Sequence, residues 1–179
     1  MTEVGSVYGG ALFDLAADEG VSQEILGQLQ ALSESFSQEP AFLKLLSAHS
    51  LAKKERCKIV DESFAGKVHP YVVNFLKILT EQGYVRHFSH CCDAYRVRYN
   101  QANNILPVTA VTAVALNETQ SLRLQAKLQE QTGKNIELIN RVDPDVLGGV
   151  RLDYDGQRLD DTVSHRLDTI RDMLKNTVL

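Results

Sequence analysis

Four neighbouring side chains carry the donor atoms of a possible metal site: His87, His90, Cys91 and Cys92. On a helix, the residues at 87, 90 and 91 lie on one face, which brings two imidazoles and a thiol together. A structural zinc ion, however, usually takes four ligands from two separate short loops. The helical apolar pattern around Cys92 already explains that thiol as a core residue. We therefore predict buried structural cysteines and surface histidines, and no metal ion.

The second candidate site is an acidic cluster of Asp153, Asp155, Asp160 and Asp161. A calcium loop of the EF-hand type needs a glutamate six residues after its glycine. Here the residue six positions after Gly156 is Thr162, so the calcium site is disfavoured. We instead predict that Asp155 and Gly156 form a tight hairpin turn. The last two aspartates suit a helix N-terminus, where negative charge is favourable.

Two further patterns lack the partners that catalysis would need. Gly148 and Gly149 could form a phosphate-binding loop, but no Gly-Lys-Ser/Thr sequence follows them. Ser164 and His165 are adjacent, and adjacent side chains point in different directions on a helix, so they form no catalytic dyad. The sequence therefore predicts neither an enzyme active site nor a cofactor.

The composition limits the kinds of partner. The chain has 179 residues, 44% of them hydrophobic, and a formal net charge of −4. This balance is typical of one folded domain or two small ones and excludes nucleic-acid binding through a general basic surface. No apolar run reaches the roughly 20 residues that span a bilayer, and the acidic N-terminus predicts no leader peptide. Three cysteines, an odd number, predict free thiols in a reducing compartment.

Six amphipathic helices with short connections are predicted before residue 104, and together they indicate a helical bundle. Apolar residues recur at helical spacing from Tyr8 to Ala16 in the first helix. Gly20 and Gly83 are predicted helix ends, and Ser22 is a predicted N-cap. Pro40 and Pro70 are predicted first residues of the third and fifth helices. The fourth helix is predicted over 52–64 and the sixth over 85–103.

Two glycines, Gly9 and Gly10, lie inside the first helix. Each costs about 1 kcal/mol of helix stability relative to alanine. Either a neighbouring helix approaches the bare backbone there, or the glycines have no packing role. The sequence leaves both explanations open.

After residue 104 the pattern changes from helical to mixed. Ile105–Ala115 is rich in valine and threonine and is a predicted strand. Asn117 suits the N-cap of a helix that ends at Gly133. Apolar residues then alternate over Asn135–Asp143, which predicts a second strand with Ile136, Leu138 and Val142 on one face.

The C-terminal stretch combines turn and helix signals. The two adjacent glycines predict a bend, and Asp155-Gly156 predicts a hairpin between two short strands. A last helix is expected from about Thr162, with Val163, Leu167, Ile170 and Leu174 as its apolar line. The predicted fold class is therefore α+β, with a helical part over 1–104 and a small mixed part over 105–179.

Two motifs carry a resemblance to a known family. The N-terminal one is Tyr8-x-x-Ala11-Leu12-Phe13-x-Leu15-Ala16. The C-terminal one comprises Ile136-x-Leu138, Val142-Asp143-Pro144, Leu147-Gly148-Gly149-Val150, Gly156 and Asp160. Together they resemble the delta subunit of bacterial and chloroplast F-type ATP synthases, whose mitochondrial relative is the oligomycin-sensitivity-conferring protein. Two departures are Gly9, where the family usually has alanine, and Asp161-Thr162, where Gly-Ser is common.

The resemblance implies a stator subunit without catalytic activity. In that family an N-terminal six-helix bundle binds the catalytic head, by holding the N-terminal helix of an alpha subunit between its first and fifth helices. The C-terminal domain holds the b subunits of the peripheral stalk, so that the head does not turn with the rotor. The expected location is the cytoplasmic face of a bacterial plasma membrane, as a peripheral protein.

A helix-binding groove on the first and fifth helices needs apolar and small residues at helical spacing. The sequence offers seven candidates for contact with the alpha subunit: Tyr8, Ala11, Leu12, Leu15, Leu76, Ile78 and Leu79. Of these, Leu12, Leu15 and Leu76 are expected to point into the bundle, because an apolar stripe on a helix usually forms core. Tyr8, Ala11 and Ile78 flank the stripe and are the better candidates for the groove.

Contacts with the stalk are less defined. Leu159, Val163, Ile170 and Met173 are all candidates, and the sequence does not choose among them. The alternative class is a free-standing adaptor or a small-molecule-binding α+β protein. A pull-down from membranes separates the two, because a stator subunit brings down alpha, beta and b subunits.

Overall fold

The computed structural model of the protein describes residues 2–48, 51–146, 148–160 and 162. The chain divides into two units, residues 1–99 and 100–179. Helices alone make up the described part of the first unit, whereas the second combines a helix with a four-stranded sheet. The predicted α+β class is therefore confirmed. In the part of the chain that the structure describes, no helix is long and apolar enough to cross a membrane.

The helices of the first unit begin and end at residues with local reasons to do so. In chain order they are α1 (Glu3–Asp18), α2 (Ser22–Gln38), α3 (Pro40–Leu46), α4 (Lys53–Phe64), α5 (Pro70–Gln82), a 3₁₀ turn (Val85–His87) and α6 (Phe88–Ala102). The side chain of Thr2 caps α1 by accepting a hydrogen bond from the backbone N–H of Gly5 at 3.3 Å. Gly83 ends α5 with a φ of 78°, a left-handed conformation that favours glycine.

One predicted boundary is wrong. Ser22 is the first residue of α2, and the N-cap position belongs to Val21, which makes no side-chain capping bond. The backbone carbonyl of Ser22 accepts a hydrogen bond from the hydroxyl of Tyr95 at 2.9 Å. This bond joins α6 to the first turn of α2, but it does not replace a cap, because a cap accepts hydrogen bonds from backbone N–H groups.

The core of the first unit contains an aromatic cluster. The ring of Phe36 lies 5.6 Å from that of Phe42, 6.1 Å from that of Phe64 and 5.1 Å from that of Phe88. Aromatic rings at such distances attract each other beyond the burial of their area. These contacts join α2, α3, α4 and α6. The buried residues of this core also include Leu12, Phe13, Ala16, Ile25, Leu29, Val60, Val72, Leu76, Leu79 and Tyr95.

Glycines bring α1 against α6. A Cβ atom on Gly5 would lie 2.9 Å from the backbone of His90, and one on Gly9 would overlap the carbonyl oxygen of Cys91. Such distances leave no room for a side chain. The close approach of a neighbouring helix, one of the two explanations left open by the sequence, is therefore confirmed for Gly9, whereas Gly10 meets the side chain of Arg98.

The second unit is built around a central strand. Its elements are β1 (Ile105–Thr112), α7 (Glu118–Thr132), β2 (Asn135–Val142), β3 (Val150–Tyr154) and β4 (Gln157–Asp160). In the sheet order β2-β1-β3-β4, β1 is parallel to β2 and antiparallel to β3. As predicted, Asn117 caps α7 by accepting a hydrogen bond from the backbone N–H of Gln120 at 2.8 Å, and Gly133 ends it.

One face of this sheet forms the core of the unit. Leu106, Val108 and Ala110 alternate along β1 and are buried. They pack in one cluster with Leu128 of α7 and Ile136 of β2. Side chains alternate between the two faces of a strand, which explains how one strand supplies three core residues.

The C-terminal stretch follows its predicted turns as far as the structure describes it. Gly148 and Gly149 have positive φ values of 151° and 87° and precede β3. Asp155 and Gly156, with φ values of 47° and 73°, join β3 to β4 in the predicted hairpin. The predicted last helix lies outside the described residues apart from Thr162, as do Ser164 and His165.

Candidate partner-binding surface

The histidines and cysteines of α6 and its preceding turn are arranged as packing groups. The rings of His87 and His90 lie 6.0 Å apart. Cys91 has little solvent exposure and belongs to the core, and Cys92 packs against the same core, as predicted, with part of its surface accessible. Burial raises the pKa of the Cys91 thiol to about 11 and that of the Cys92 thiol further still. Both thiols therefore stay protonated at neutral pH, whereas metal binding and nucleophilic attack need a thiolate.

Aspartates of the acidic cluster pair with arginines and accept a backbone hydrogen bond. Asp153 accepts a hydrogen bond from Nε of Arg158 at 2.9 Å and lies 3.6 Å from Nε of Arg151. Oδ1 of Asp160 accepts a hydrogen bond from the backbone N–H of Thr162 at 3.0 Å. Across the described residues, no group of three or more histidine, cysteine, aspartate or glutamate side chains could hold a metal ion.

The first helix has a second apolar face, directed away from the core. Gly5, Gly9, Leu12, Phe13 and Ala16 line its inner side and are buried. On the outer side Val7, Ala11 and Leu15 are exposed, Val7 by 61%, and Tyr8 lies at the edge of this side, half-buried against the core. The spacing of these outward residues, at 7, 8, 11 and 15, follows one face of a helix. A surface helix normally has a polar outer face, so this apolar stripe needs a separate explanation.

The seven predicted contact residues divide between core and surface. Leu12, Leu76 and Leu79 are buried in the core, which confirms the inward orientation predicted for Leu12 and Leu76. Tyr8 is half-buried, whereas Ala11 and Ile78 are exposed, Ile78 by 46%.

The inward orientation predicted for Leu15 is wrong, because its side chain is 43% exposed. Apolar spacing alone does not distinguish the two faces of α1. The glycines determine which face of α1 is buried, since α6 lies against the side that carries Gly5 and Gly9. As a result, Leu12 faces the core and Leu15 lies on the outer side.

An aromatic contact joins α1 to the end of α5. The rings of Tyr8 and Tyr84 lie 5.8 Å apart with an interplanar angle of 56°. Tyr84 directly follows Gly83, the residue that ends α5, and is 37% exposed. The outer stripe of α1 and the C-terminal end of α5 therefore meet at this pair. We define the outer surface of α1 and α5 as Val7, Tyr8, Ala11, Leu15, Ile78 and Tyr84.

Two members of this surface, Val7 and Tyr84, were not among the predicted residues. For Val7 the signal was present, because it lies four residues before Ala11 and eight before Leu15. Tyr84 has no such signal, because it lies outside α5 and reaches α1 only through the tertiary fold.

An ion pair joins α6 to α1. Nη1 of Arg98 in α6 donates to both carboxylate oxygens of Asp14, each at 2.8 Å. A Cβ atom on Gly10 would lie 2.7 Å from the guanidinium carbon of Arg98. Because Gly10 has no side chain, the arginine can lie against α1 at this position and reach Asp14. The pair is exposed, so it contributes little to stability.

Comparison with known proteins decides the family. A family model described as ATP synthase delta (OSCP) subunit matches residues 4–174. The chain belongs to the ATP synthase delta (OSCP) subunit family. The ATP synthase subunit delta of Alkaliphilus oremlandii is 30% identical over 172 residues, which cover 96% of each chain. That of Lactobacillus delbrueckii subsp. bulgaricus is 34% identical over 173 residues, or 93% of each chain.

A solved structure supports the fold of this delta-family chain. A chain of the Toxoplasma gondii mitochondrial ATP synthase hexamer matches it with a TM-score of 0.74 at 18% sequence identity, covering 97% of this chain and 98% of that chain. As a member of the delta (OSCP) family, the protein is a stator subunit in the peripheral stalk of an F-type ATP synthase. It is a structural subunit of that complex.

Proposed function

We propose that this delta-family subunit links the catalytic head of the ATP synthase to the peripheral stalk. Residues 1–104 would act as a six-helix bundle that binds the N-terminal helix of an alpha subunit. Residues 105–179 would hold the b subunits. The subunit works at the cytoplasmic face of a bacterial plasma membrane, as a peripheral protein held there through the complex. In this arrangement it keeps the head from rotating with the rotor.

The outward apolar stripe of α1 is the observation that carries the proposal. Val7 and Leu15 are both exposed on it, about 12 Å apart along the helix axis. A bound amphipathic helix places its own apolar residues at intervals of three and four, so it buries a stripe of this length with two turns. Ala11 in the middle leaves space for a larger side chain of the partner.

The end of α5 supplies the second wall of the proposed groove. Ile78 is exposed on α5, and Tyr84 follows that helix and contacts Tyr8. The three buried leucines, Leu12, Leu76 and Leu79, support these walls from the core and make no direct contact with the partner. The outer surface of α1 and α5, and not the full set of seven residues predicted from the sequence, is therefore the proposed contact with the head.

Stalk binding by the second unit rests on fewer described residues. Leu159 of β4 is 52% exposed, and it is the one stalk candidate within the described part of the chain. Val163, Ile170 and Met173 lie outside that part. Singly exposed apolar residues are common on protein surfaces, so the proposal of stalk binding rests on membership of the delta (OSCP) family.

A peptide that copies the N-terminal helix of the alpha subunit from the same organism tests head binding. We expect the full-length protein to bind it at a 1:1 ratio in isothermal titration. Ala11→Glu would place a carboxylate in the middle of the groove and lower the affinity at least about 30-fold, since burying an unpaired charge is costly. The matched control is Ala31→Glu on α2, because Ala31 is also an exposed alanine in a helix.

Circular dichroism serves as the folding check for both variants, and neither should lose helical signal. Unchanged affinity of Ala11→Glu, with the helical signal intact, would contradict the groove on α1. Equal losses in both variants would show that added charge in general, and not its position, weakens the complex.

A further inference from the structure

Strand β2 forms one edge of the sheet in the second unit and pairs on its other side with β1. The backbone N–H of Asn135 donates to the carbonyl of Asn104 at 2.8 Å, and that of Asp143 donates to the carbonyl of Thr112 at 2.9 Å. Successive residues of a strand direct their N–H and C=O groups to alternate sides. The odd-numbered residues of β2 therefore bond to β1, and the even-numbered residues direct their backbone groups away from the sheet.

These outward backbone groups are covered at one end of β2 and bare at the other. The side-chain amide of Gln125 in α7 donates to the carbonyl of Ile136 at 2.7 Å and covers the first of them. Leu138, Asn140 and Val142 follow, and no described residue hydrogen-bonds to their outward N–H and C=O groups. We call residues 138–142 the free edge of β2. A row of unpaired backbone groups of this kind is a template for a further strand.

The side chains beside the free edge also suit a further strand. Ile139 is 51% exposed on the face opposite α7, and Val142 is 47% exposed on the other face. Glu137 and Arg141 lie on either side of Ile139 and have opposite charges, and neither is in an ion pair with a described residue. A strand with the reverse order of charges would pair with both of them and cover the isoleucine.

We propose that the free edge of β2 binds an extended segment of another protein, which adds to the sheet as an antiparallel strand. Backbone hydrogen bonds to the even-numbered residues supply affinity, and side chains at alternate positions supply specificity. The segment has an acidic residue opposite Arg141, an apolar residue opposite Ile139 and a basic residue opposite Glu137. Antiparallel pairing is the more stable of the two directions. This surface is separate from the outer surface of α1 and α5, so its failure would leave the proposed function unchanged.

A peptide that copies residues 135–142 is a suitable probe, because its own charges have the required order when it runs antiparallel to β2. Amide hydrogen exchange of the full-length protein, measured by NMR, reports the binding site. We expect the amides of Leu138, Asn140 and Val142 to exchange on the order of 10-fold more slowly at a peptide concentration about ten times its Kd. The amide of Ile139 should be protected with and without peptide. No added protection of the three amides would overturn the proposal.

Methylation of the peptide's backbone distinguishes strand addition from other contacts. Methyl groups on the two amides that copy Leu138 and Asn140 block the hydrogen bonds towards β2. We expect this peptide to bind at least about 10-fold more weakly. The matched control has its two methyl groups on the amides that copy Glu137 and Ile139, which point away from β2, and it should bind within about 3-fold of the unmodified peptide. Equal affinities of the two methylated peptides would contradict strand addition.

A charge exchange tests the proposed pairing of side chains. Arg141→Glu places like charges opposite each other, and we expect the affinity for the peptide to fall about 2- to 5-fold. A peptide with arginine at the position that copies Glu137 should restore the affinity of this variant. Unchanged affinity of Arg141→Glu for the original peptide would contradict the assigned register.

Sedimentation velocity of the wild-type protein tests whether a second copy of this chain is the occupant. We expect a monomer, since the proposal assigns the free edge to a different protein. Val142→Pro removes one outward N–H and is the control, because proline is tolerated on an edge strand where the N–H faces solvent. A wild-type dimer that this variant abolishes would show that the free edge pairs with a second copy, and would contradict a site for another protein.

Discussion

The carbonyl oxygen of Cys91 in α6 occupies the space that a Cβ atom on Gly9 of α1 would need. This contact determines which side of α1 faces the core. Because the glycine side lies against α6, the stripe with Val7, Ala11 and Leu15 is left on the outside. A packing feature inside the first unit thus creates the surface that we propose for the alpha subunit.

Replacement of Gly9 by alanine tests this contact. The obstacle is backbone, which cannot rotate away, so α1 and α6 must separate. We expect Gly9→Ala to lower the free energy of unfolding by about 1–3 kcal/mol, as overpacking usually does. Urea denaturation followed by circular dichroism measures the change.

Two other glycines provide controls for this substitution. A Cβ atom on Gly27 in α2 would meet nothing within 4 Å, so Gly27→Ala should gain up to about 1 kcal/mol from helix propensity. The free energy of unfolding of Gly10→Ala should lie between those of the other two variants, because the Arg98 side chain that the new methyl group meets is able to move. Equal stability of Gly9→Ala and Gly27→Ala would contradict the close packing of α1 on α6.

Asn140 holds the loop between β1 and α7. Its side-chain amide donates to the carbonyl of Ala110 and to Oγ1 of Thr112, each at 2.9 Å, and its Oδ1 accepts from the N–H of Leu116 at 2.8 Å. Asn140→Asp places a carboxylate oxygen against these acceptors. We expect a loss of about 1–3 kcal/mol in urea denaturation, since partners are left without a donor.

Asn135→Asp is the comparison for that variant. The Asn135 side chain is exposed and makes a longer hydrogen bond, 3.3 Å, to the carbonyl of Asn103. We expect a change within about 0.5 kcal/mol, as is usual for surface substitutions. Equal effects of the two variants would argue against a special role of Asn140 in the loop.

Alkaline pH should destabilise the first unit through the thiols of Cys91 and Cys92, whose folded-state pKa values are both raised by burial. Cys91 serves as the test case. Burial raises its folded-state pKa from 9.0 to about 11, so the folded protein holds this proton more tightly than the unfolded chain. The stabilising contribution is complete below pH 9 and is lost as the pH rises to about 11. Unfolding in urea at a series of pH values should show this decline, and Cys91→Ala should reduce it. An unchanged slope in that variant would show that other groups cause the decline.

Truncation tests whether head binding and stalk binding belong to separate parts of the chain. A fragment of residues 1–104 should keep its affinity for the alpha-subunit peptide and lose binding to purified b subunits, because the proposed stalk contacts lie after residue 104. Surface plasmon resonance with each partner gives both affinities. Loss of both interactions in a fragment with normal helical signal would contradict the assignment of head and stalk to separate parts.

Local signals explain which features could be predicted from the sequence. Proline at the start of α3 and α5, glycine after α5 and α7, and the Asn117 cap act through their own backbone neighbours. Such effects are visible in a short stretch of residues. The β3–β4 hairpin was predicted for the same reason, since Asp155-Gly156 determines its turn.

Tertiary contacts explain the errors. Ser22 lies inside α2 as its first residue, and its carbonyl accepts a hydrogen bond from the hydroxyl of Tyr95, 73 positions away. The orientation of Leu15 depends on where α6 lies, and Tyr84 joins the surface only because α5 ends beside α1. The placement of β1 between β2 and β3 likewise arises from pairing between distant segments. None of these relationships can be predicted from the spacing of apolar residues.

Attachment of the catalytic head to the membrane tests the central claim most directly. Membranes from a strain that lacks this subunit are mixed with purified catalytic head and either wild-type protein or Ala11→Glu, and both sedimented head and ATP-driven proton pumping are measured. We expect the wild-type protein to restore both, Ala31→Glu to restore both equally, and Ala11→Glu to restore neither. Full attachment and pumping with Ala11→Glu would contradict a stator contact through α1.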